Sequence, residues 1–79
     1  KHSDAVGETG QVYTRIRKNN TGEIQVSVDG TLRTLEARAK DTTLHIQTGE
    51  LIRVVGVIGA TMIVEPLNDG DEELTSEEE

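Results

Sequence analysis

Alternating apolar and polar residues predict five short β-strands. Apolar side chains recur at every second position in several segments, which is the pattern of a half-buried strand. Eight glycines and a single proline suit short strands joined by tight turns. The predicted strands cover residues 10–18, 23–29, 31–40, 50–57 and 61–65.

The first two predicted strands have clear inward faces. These faces carry Val12, Thr14 and Ile16 in the first strand and Ile24, Val26 and Val28 in the second. Residues 18–22 have the composition of a turn. Asp29 and Gly30 both tolerate positive φ, so they predict a two-residue hairpin to the third strand.

The remaining segments are less regular. Leu35, Ala37 and Ala39 share a face in the third strand, but Leu32 has the other parity, so we expect a β-bulge near residues 32–34. The fourth strand has apolar residues at both odd and even positions, as in a curved strand that packs against other residues on both faces. Pro66 has no backbone donor and predicts the end of the sheet at an edge.

The connection between the third and fourth strands is the longest. Residues 41–49 include Leu44 and Ile46, which we expect to plug one end of a barrel. Five short strands with this long connection indicate an all-β fold, a small oligonucleotide/oligosaccharide-binding (OB) barrel. An SH3-like barrel is the alternative. The core would consist of Val, Ile and Leu, because the chain has no Phe, Trp or Cys.

Charge divides the chain into a neutral body and an acidic tail. Residues 68–79 hold seven of the fifteen acidic residues and none of the eight basic ones, leaving eight of each in residues 1–67. Low hydrophobicity and like charge predict disorder for this tail. We therefore expect a linker at 1–5, a barrel domain at 6–67 and a disordered acidic tail at 68–79.

The sequence offers little material for catalysis or metal binding. A hydrolytic site needs a nucleophile, a base and an orienting group within reach of one another. His2 lies in the predicted linker, and His45 is expected to be an exposed loop residue. No serine has a nucleophile-elbow pattern, no His/Cys spacing supports zinc, and residues 69–73 lack the spacing of a calcium loop. We expect no enzyme activity, cofactor or metal.

Basic residues lie on the first and third predicted strands and at their ends, and they form a candidate binding strip. Two interpretations remain open: the cations pair with Glu23 and Glu36 across the sheet, or they bind an acidic partner or the chain's own tail. The strip consists of Arg15, Arg17, Lys18, Arg33, Arg38 and Lys40.

Nucleic-acid binding through this strip is the alternative function. OB barrels bind single strands with aromatic side chains that stack on bases. The expected outer residues of strands two and three include no aromatic, and Tyr13 is the only aromatic residue of the chain. The neutral body and acidic tail also disfavour a polyanionic ligand.

Four blocks of sequence resemble the NfeD family. They are VGETGQV at 6–12, GEIQV at 22–26, LEA at 35–37 and, as the most specific block, GELIRVVGVIGATMIVEP at 49–66. The chain is similar to the C-terminal soluble domain of a short NfeD-like membrane protein without a protease domain. Many family members have an aromatic residue, often Trp, where this chain has Leu35.

The resemblance implies a role that composition does not show. NfeD-like proteins carry transmembrane helices ahead of this domain, and their partners are flotillin- and stomatin-type membrane scaffold proteins. It therefore implies a non-catalytic protein-interaction module at the cell membrane, which we expect on the cytoplasmic side because cysteine is absent. Our expected contact surface is the exposed side of strands one to three, with Arg15, Arg17, Glu23, Gln25, Glu36 and Arg38.

Overall fold

Five β-strands and one helical turn make up the part of the chain that the computed structural model describes, residues 2–67. The strands are β1 (Thr9–Thr14), β2 (Gly22–Val28), β3 (Thr31–Ala39), β4 (Leu51–Ile58) and β5 (Thr61–Pro66). A 3-10 turn, His2–Ala5, precedes them and contacts β2 and β4. No helix within residues 2–67 has the length and apolar character to cross a bilayer.

The strands close into a barrel in the order β1-β2-β3-β5-β4, and β4 returns to β1. All neighbours are antiparallel except β3 and β5, which run parallel. A parallel pair needs a long crossover, and here β4 and the long connection before it provide one. This arrangement confirms the predicted five-stranded OB-like barrel.

The barrel interior is filled by aliphatic side chains from every strand. Val and Ile suit this interior, because branched side chains pack well on a pleated surface. No polar or charged residue among those described is buried. The buried residues are Ala5, Val12, Ile16, Ile24, Val26, Val28, Ala37, Ala39, Ile46, Ile52, Val54, Met62 and Val64.

The β2–β3 hairpin has the predicted turn but not the predicted bulge. Asp29 and Gly30 have φ values of 54° and 80°, as a two-residue hairpin turn requires. The register between the strands runs without interruption from Val28–Thr31 to Gly22–Ala37, so the bulge expected near residues 32–34 was wrong. Leu32 has the outward parity of this continuous register and is exposed.

The register shifts lie elsewhere in the barrel. One lies in β1 between Val12 and Thr14, and the other in β4 between Val54 and Gly56. Bulges bend a strand and increase its twist, which helps a five-stranded sheet to close. The first shift places Thr14 outside, although the alternation predicted that it faces inward.

The first strand is shorter than the predicted 10–18, because the chain changes partner after Thr14. Ile16 forms an isolated bridge with Ile46, and the two residues exchange backbone hydrogen bonds of 2.9 Å in both directions. Both side chains are buried, and Leu44 packs against the core beside them. The prediction that Leu44 and Ile46 plug one end of the barrel is therefore confirmed.

The fifth strand is paired on both sides, with β3 and with β4. Pro66 is its last residue and pairs with Ile52 of β4, beyond the last β3 partner, Val64. The strand β5 is therefore not an edge strand. Pro66 lies beyond the part of β5 that pairs with β3, so its missing N–H group costs no hydrogen bond to β3. The predicted tail at 68–79 lies outside the described residues.

Candidate functional site

Four of the six predicted contact residues share the outer face of β2 and β3. Glu23 and Glu36 are register partners, and Gln25 pairs with Thr34. Arg38 lies two residues beyond Glu36 and therefore on the same face of β3. Glu23, Glu36 and Arg38 are exposed and Gln25 is half-buried. The strand pairing thus brings these four residues into one polar face, defined here by Glu23, Gln25, Glu36 and Arg38.

Hydroxyl groups, rather than arginines, contact the two glutamates of the polar face. Thr14 Oγ1 donates a 2.9 Å hydrogen bond to Glu23 Oε1, and Thr61 Oγ1 donates a 3.1 Å bond to Glu36 Oε1. The two carboxylates lie in directly opposite register positions, where like charges repel. The threonine hydroxyls offset part of that repulsion, and they leave the nearby arginines available for other ligands.

Arg15 and Arg17 lie off the strands, at one end of the barrel. They flank buried Ile16, so they continue from the end of β1 into the connection to β2. Both side chains are exposed. The structure therefore separates these two arginines from the polar face and places them at its border.

An apolar groove on the outside of β1 and β2 was missed in the sequence. It has a volume of about 400 Å³. Leu32 is 64 % exposed and Leu51 is 47 % exposed, and both line it together with Leu67. The other lining residues are Thr9, Gly10, Gln11, Gln25, Val26 and Ser27. Gln25 thus belongs to both the groove and the polar face, so the two surfaces are continuous. The sequence signal was the parity of Leu32, which we attributed to a bulge instead of to exposure.

Tyr13 and His45 both lie on the surface of the described domain. Tyr13 is 55 % exposed, on β1, and His45 is exposed, as predicted. Among residues 2–67, no group of three His, Cys, Asp or Glu side chains is placed to hold a metal ion. The outer face of β2 and β3 carries no aromatic residue on which a base could stack.

Asp41 stabilises the start of the long connection. Its Oδ1 accepts hydrogen bonds from Thr43 Oγ1 at 2.6 Å and from the Thr43 amide at 3.1 Å. These bonds hold the pKa of the Asp41 carboxyl below its usual range, with the hydroxyl bond as the larger cause. Leu44 N also bonds the Asp41 carbonyl at 3.0 Å, so Asp41 forms the turn that directs residues 44–46 toward the core.

The fold and its surface define a class: a small OB barrel whose outer wall, over residues 2–67, offers a polar face and an apolar groove. Solved structures of the same class match the chain. The soluble domain of the NfeD protein YuaF from Bacillus subtilis shares 25 % identity with a TM-score of 0.71, covering 82 % of this chain and 76 % of that chain.

Two further structures are more similar in sequence. The C-terminal domain of stomatin operon partner protein 1510-C from Pyrococcus horikoshii shares 31 % identity with a TM-score of 0.59, covering 78 % of this chain and 86 % of that chain. The soluble domain of a Corynebacterium glutamicum membrane protein implicated in regulation of membrane protease activity shares 30 % identity with a TM-score of 0.60. Here the coverage is 77 % of this chain and 89 % of that chain.

Neither protein-family models nor curated proteins give a match to the sequence. The structural matches nevertheless cover more than two thirds of each chain at about 30 % identity. The chain belongs to the NfeD family and has the fold of its soluble domain.

Proposed function

We propose that this domain is a non-catalytic protein-interaction module of a membrane-anchored NfeD protein that works with a flotillin- or stomatin-type membrane scaffold protein. The observation that carries the proposal is the match to a domain named as a stomatin operon partner. The naming of another match as the soluble domain of a membrane protein supports the membrane anchor. The membrane-spanning segments that would anchor the domain are part of this proposal.

The outer wall of the barrel supports an interaction role. The groove exposes leucine side chains beside polar residues, and such a combination of apolar centre and polar rim is typical of protein contact surfaces. We assign the contact to Arg15, Arg17, Glu23, Gln25, Glu36 and Arg38, with the groove as its apolar part. Gln25 joins the two parts.

Co-purification of the membrane-anchored protein tests the partner. The full-length protein, extracted in mild detergent, should retain a flotillin- or stomatin-type protein encoded in the same cell. Recovery of none of these scaffold proteins would contradict the proposal. The recovered partner then allows quantitative binding experiments with the soluble domain.

Two matched substitutions of an exposed aliphatic residue by serine test the surface. Leu32→Ser removes an apolar group from the groove. Ile58→Ser changes a comparably exposed side chain, 61 % against 64 %, that does not line the groove. Burial of the exposed part of Leu32 is worth about 1–2 kcal/mol, so Leu32→Ser should weaken binding by about 5–30-fold. Equal affinities of the two variants would exclude the groove from the contact.

Arg38→Glu tests the polar face in the same assay. Reversing this charge should weaken binding if the partner presents carboxylates to the face, and the loss should become smaller at high salt. A change of the same size for Arg33→Glu, which lies outside the polar face on the hairpin side of β3, would show a non-specific charge effect instead.

Nucleic-acid binding is tested separately. Single-stranded DNA and RNA are titrated at low salt into the full chain and into a chain in which the acidic residues of 68–79 are replaced by amides. We expect no change in the amide spectrum in either case. Shifts on the outer face of β2 and β3 would favour the alternative function.

The proposal places the domain on the cytoplasmic side of the membrane. The chain contains no cysteine, which is compatible with a reducing compartment. An introduced cysteine can therefore be labelled to test on which side of the membrane the domain lies. Thr34→Cys introduces a single thiol at an exposed position. In intact cells a membrane-impermeant maleimide should leave it unmodified, and labelling without permeabilisation would place the domain outside.

A further inference from the structure

Five of the eight basic residues gather at one end of the barrel, which we call the basic end. It consists of Arg15, Arg17, Lys18, Arg38 and Lys40. Three of them lie in the connection that leaves β1, one lies near the end of β3, and one follows β3 directly. A hydrogen bond of 2.7 Å from Asn19 N to Thr42 O joins the two connections. The basic end is therefore a continuous surface rather than two separate loops.

Carboxylates also lie at this end, but their described hydrogen bonds come from uncharged donors. Thr14 contacts Glu23 and Thr43 contacts Asp41. The Gln47 amide donates a 3.0 Å bond to Glu50. Glu65 is exposed and has Arg53 of β4, outside the basic end, as its register partner. Within residues 2–67, no described contact joins a carboxylate to a cation of the basic end.

The chain leaves the barrel at the same end. Leu67 N donates a 3.0 Å hydrogen bond to Leu51 O, which fixes the last described residue against the start of β4. The two preceding residues line a depression of about 440 Å³ together with Lys40, Asp41 and Leu44. Pro66, two residues before the acidic segment 68–79, thus lines the same depression as Lys40, a member of the basic end.

A second depression lies at the same end of the barrel. It has a volume of about 330 Å³ and is lined by Arg38 and Thr42 and by the turn at 19–21. Lys40, in the first depression, precedes Thr42 by two residues along the chain. The two depressions thus place Lys40 and Arg38 at the end of the barrel where β5 ends.

We propose that residues 68–79 bind the basic end of their own chain. The segment carries seven carboxylates and no cation, so its charge is complementary to this surface. Twelve extended residues span up to about 40 Å, so a segment that begins one residue beyond Leu67 can extend along this end of the barrel. Tethering raises the local concentration of the segment to the millimolar range, so weak charge pairs suffice for substantial occupancy.

The bound segment would act as a competitor. It covers Arg38 and lies next to Arg15 and Arg17, three of the residues assigned to the partner contact. An acidic partner then binds only after it has displaced the segment, and salt weakens both contacts. This competition rests on the proposed function, whereas the intramolecular contact itself does not.

Amide spectra of the full chain test the contact. In the neutral-tail variant, each Asp and Glu of 68–79 is replaced by Asn or Gln, which keeps the chain length. At low salt we expect amide shifts at 15–18 and 38–42 relative to the native chain, with the hairpin turn at 29–30 unchanged. High salt should shift the same amides in the native chain and not in the variant. Coincident low-salt spectra at the basic end would overturn the proposal.

Charge-reversal variants of the basic end test the same contact independently. Arg17→Glu combined with Lys40→Glu should abolish the spectral difference between native and neutral tails, whereas Arg33→Glu at the opposite end should preserve it. A peptide with the sequence of 68–79, added at millimolar concentration to the neutral-tail variant, should restore the native shifts. Native-chain shifts that disappear on dilution would show binding between copies and would overturn the intramolecular assignment.

Discussion

Ile46 tests whether the long connection between β3 and β4 belongs to the cooperative core. Its side chain is 1 % exposed although the residue lies outside the strands, and its backbone exchanges hydrogen bonds with Ile16. Ile46→Ala removes three carbon atoms from the interior and leaves both backbone bonds in place. Core truncations of this kind cost about 2–5 kcal/mol, the transfer free energy plus the cavity.

The consequence is large because the domain is small. At about 0.05–0.15 kcal/mol per residue, a domain of this length has a free energy of unfolding of about 3–10 kcal/mol. We therefore expect Ile46→Ala to lose about a fifth or more of this free energy and to lower the melting temperature by roughly 4–8 °C for each kcal/mol lost. Ile46→Val, which removes one methylene group, should cost about 0.5–1.5 kcal/mol.

Urea unfolding followed by far-ultraviolet circular dichroism measures these changes. Fluorescence is a poor probe, since the chain has no Trp and its one Tyr is 55 % exposed. The slope of free energy against urea should be unchanged, because both variants expose the same surface on unfolding. A loss below about 1 kcal/mol for Ile46→Ala would refute the reasoning. It would show that the connection opens independently of the barrel.

Two further predictions concern local structure. Gly22→Ala should destabilise the domain by about 1–3 kcal/mol, because its Cβ would overlap the carbonyl oxygen of Thr14. Gly56→Ala is the matched control: its Cβ would meet no heavy atom closer than 3.8 Å, so urea unfolding should show little change. The hydrogen bonds to Asp41 lower its pKa on folding, so they stabilise the domain above the unfolded pKa, and that contribution is lost as pH falls through the folded pKa. Thr43→Ala removes the larger cause, and a carboxyl-carbon NMR titration should show the Asp41 pKa closer to its usual value; no change would contradict this assignment.

The sequence pattern predicted the strands and the hairpin turn because each of them depends on residues that are close together in the chain. Alternation placed Ile24, Val26 and Val28 on the inner face of β2, and Asp29 with Gly30 marked the hairpin turn. Pairing across the sheet was harder to predict. The supposed bulge near residues 32–34 came from assuming that Leu32 must be buried, although a single exposed leucine is ordinary.

In the candidate site, too, the sequence predicted which residues face outward, but it did not predict which residues contact each other across the sheet. Parity alone predicted that Glu23, Gln25 and Glu36 point outward, and the structure agrees. That Thr14 and Thr61 contact these two glutamates follows from the register of three different strand pairs, which residue order does not contain. The groove depends on the same information, because its leucines come from β3, β4 and the residue after β5.

The sequence by itself determined the strand class, the turn residues, the aliphatic character of the core and the separation of charge between body and tail. These are properties of neighbouring residues, and the periodicity of a strand expresses them directly. Only the tertiary structure decided where the register shifts lie, that Ile16 pairs with Ile46, and that the basic residues meet where the chain leaves the barrel. Those outcomes depend on barrel closure, which brings together residues far apart in the chain.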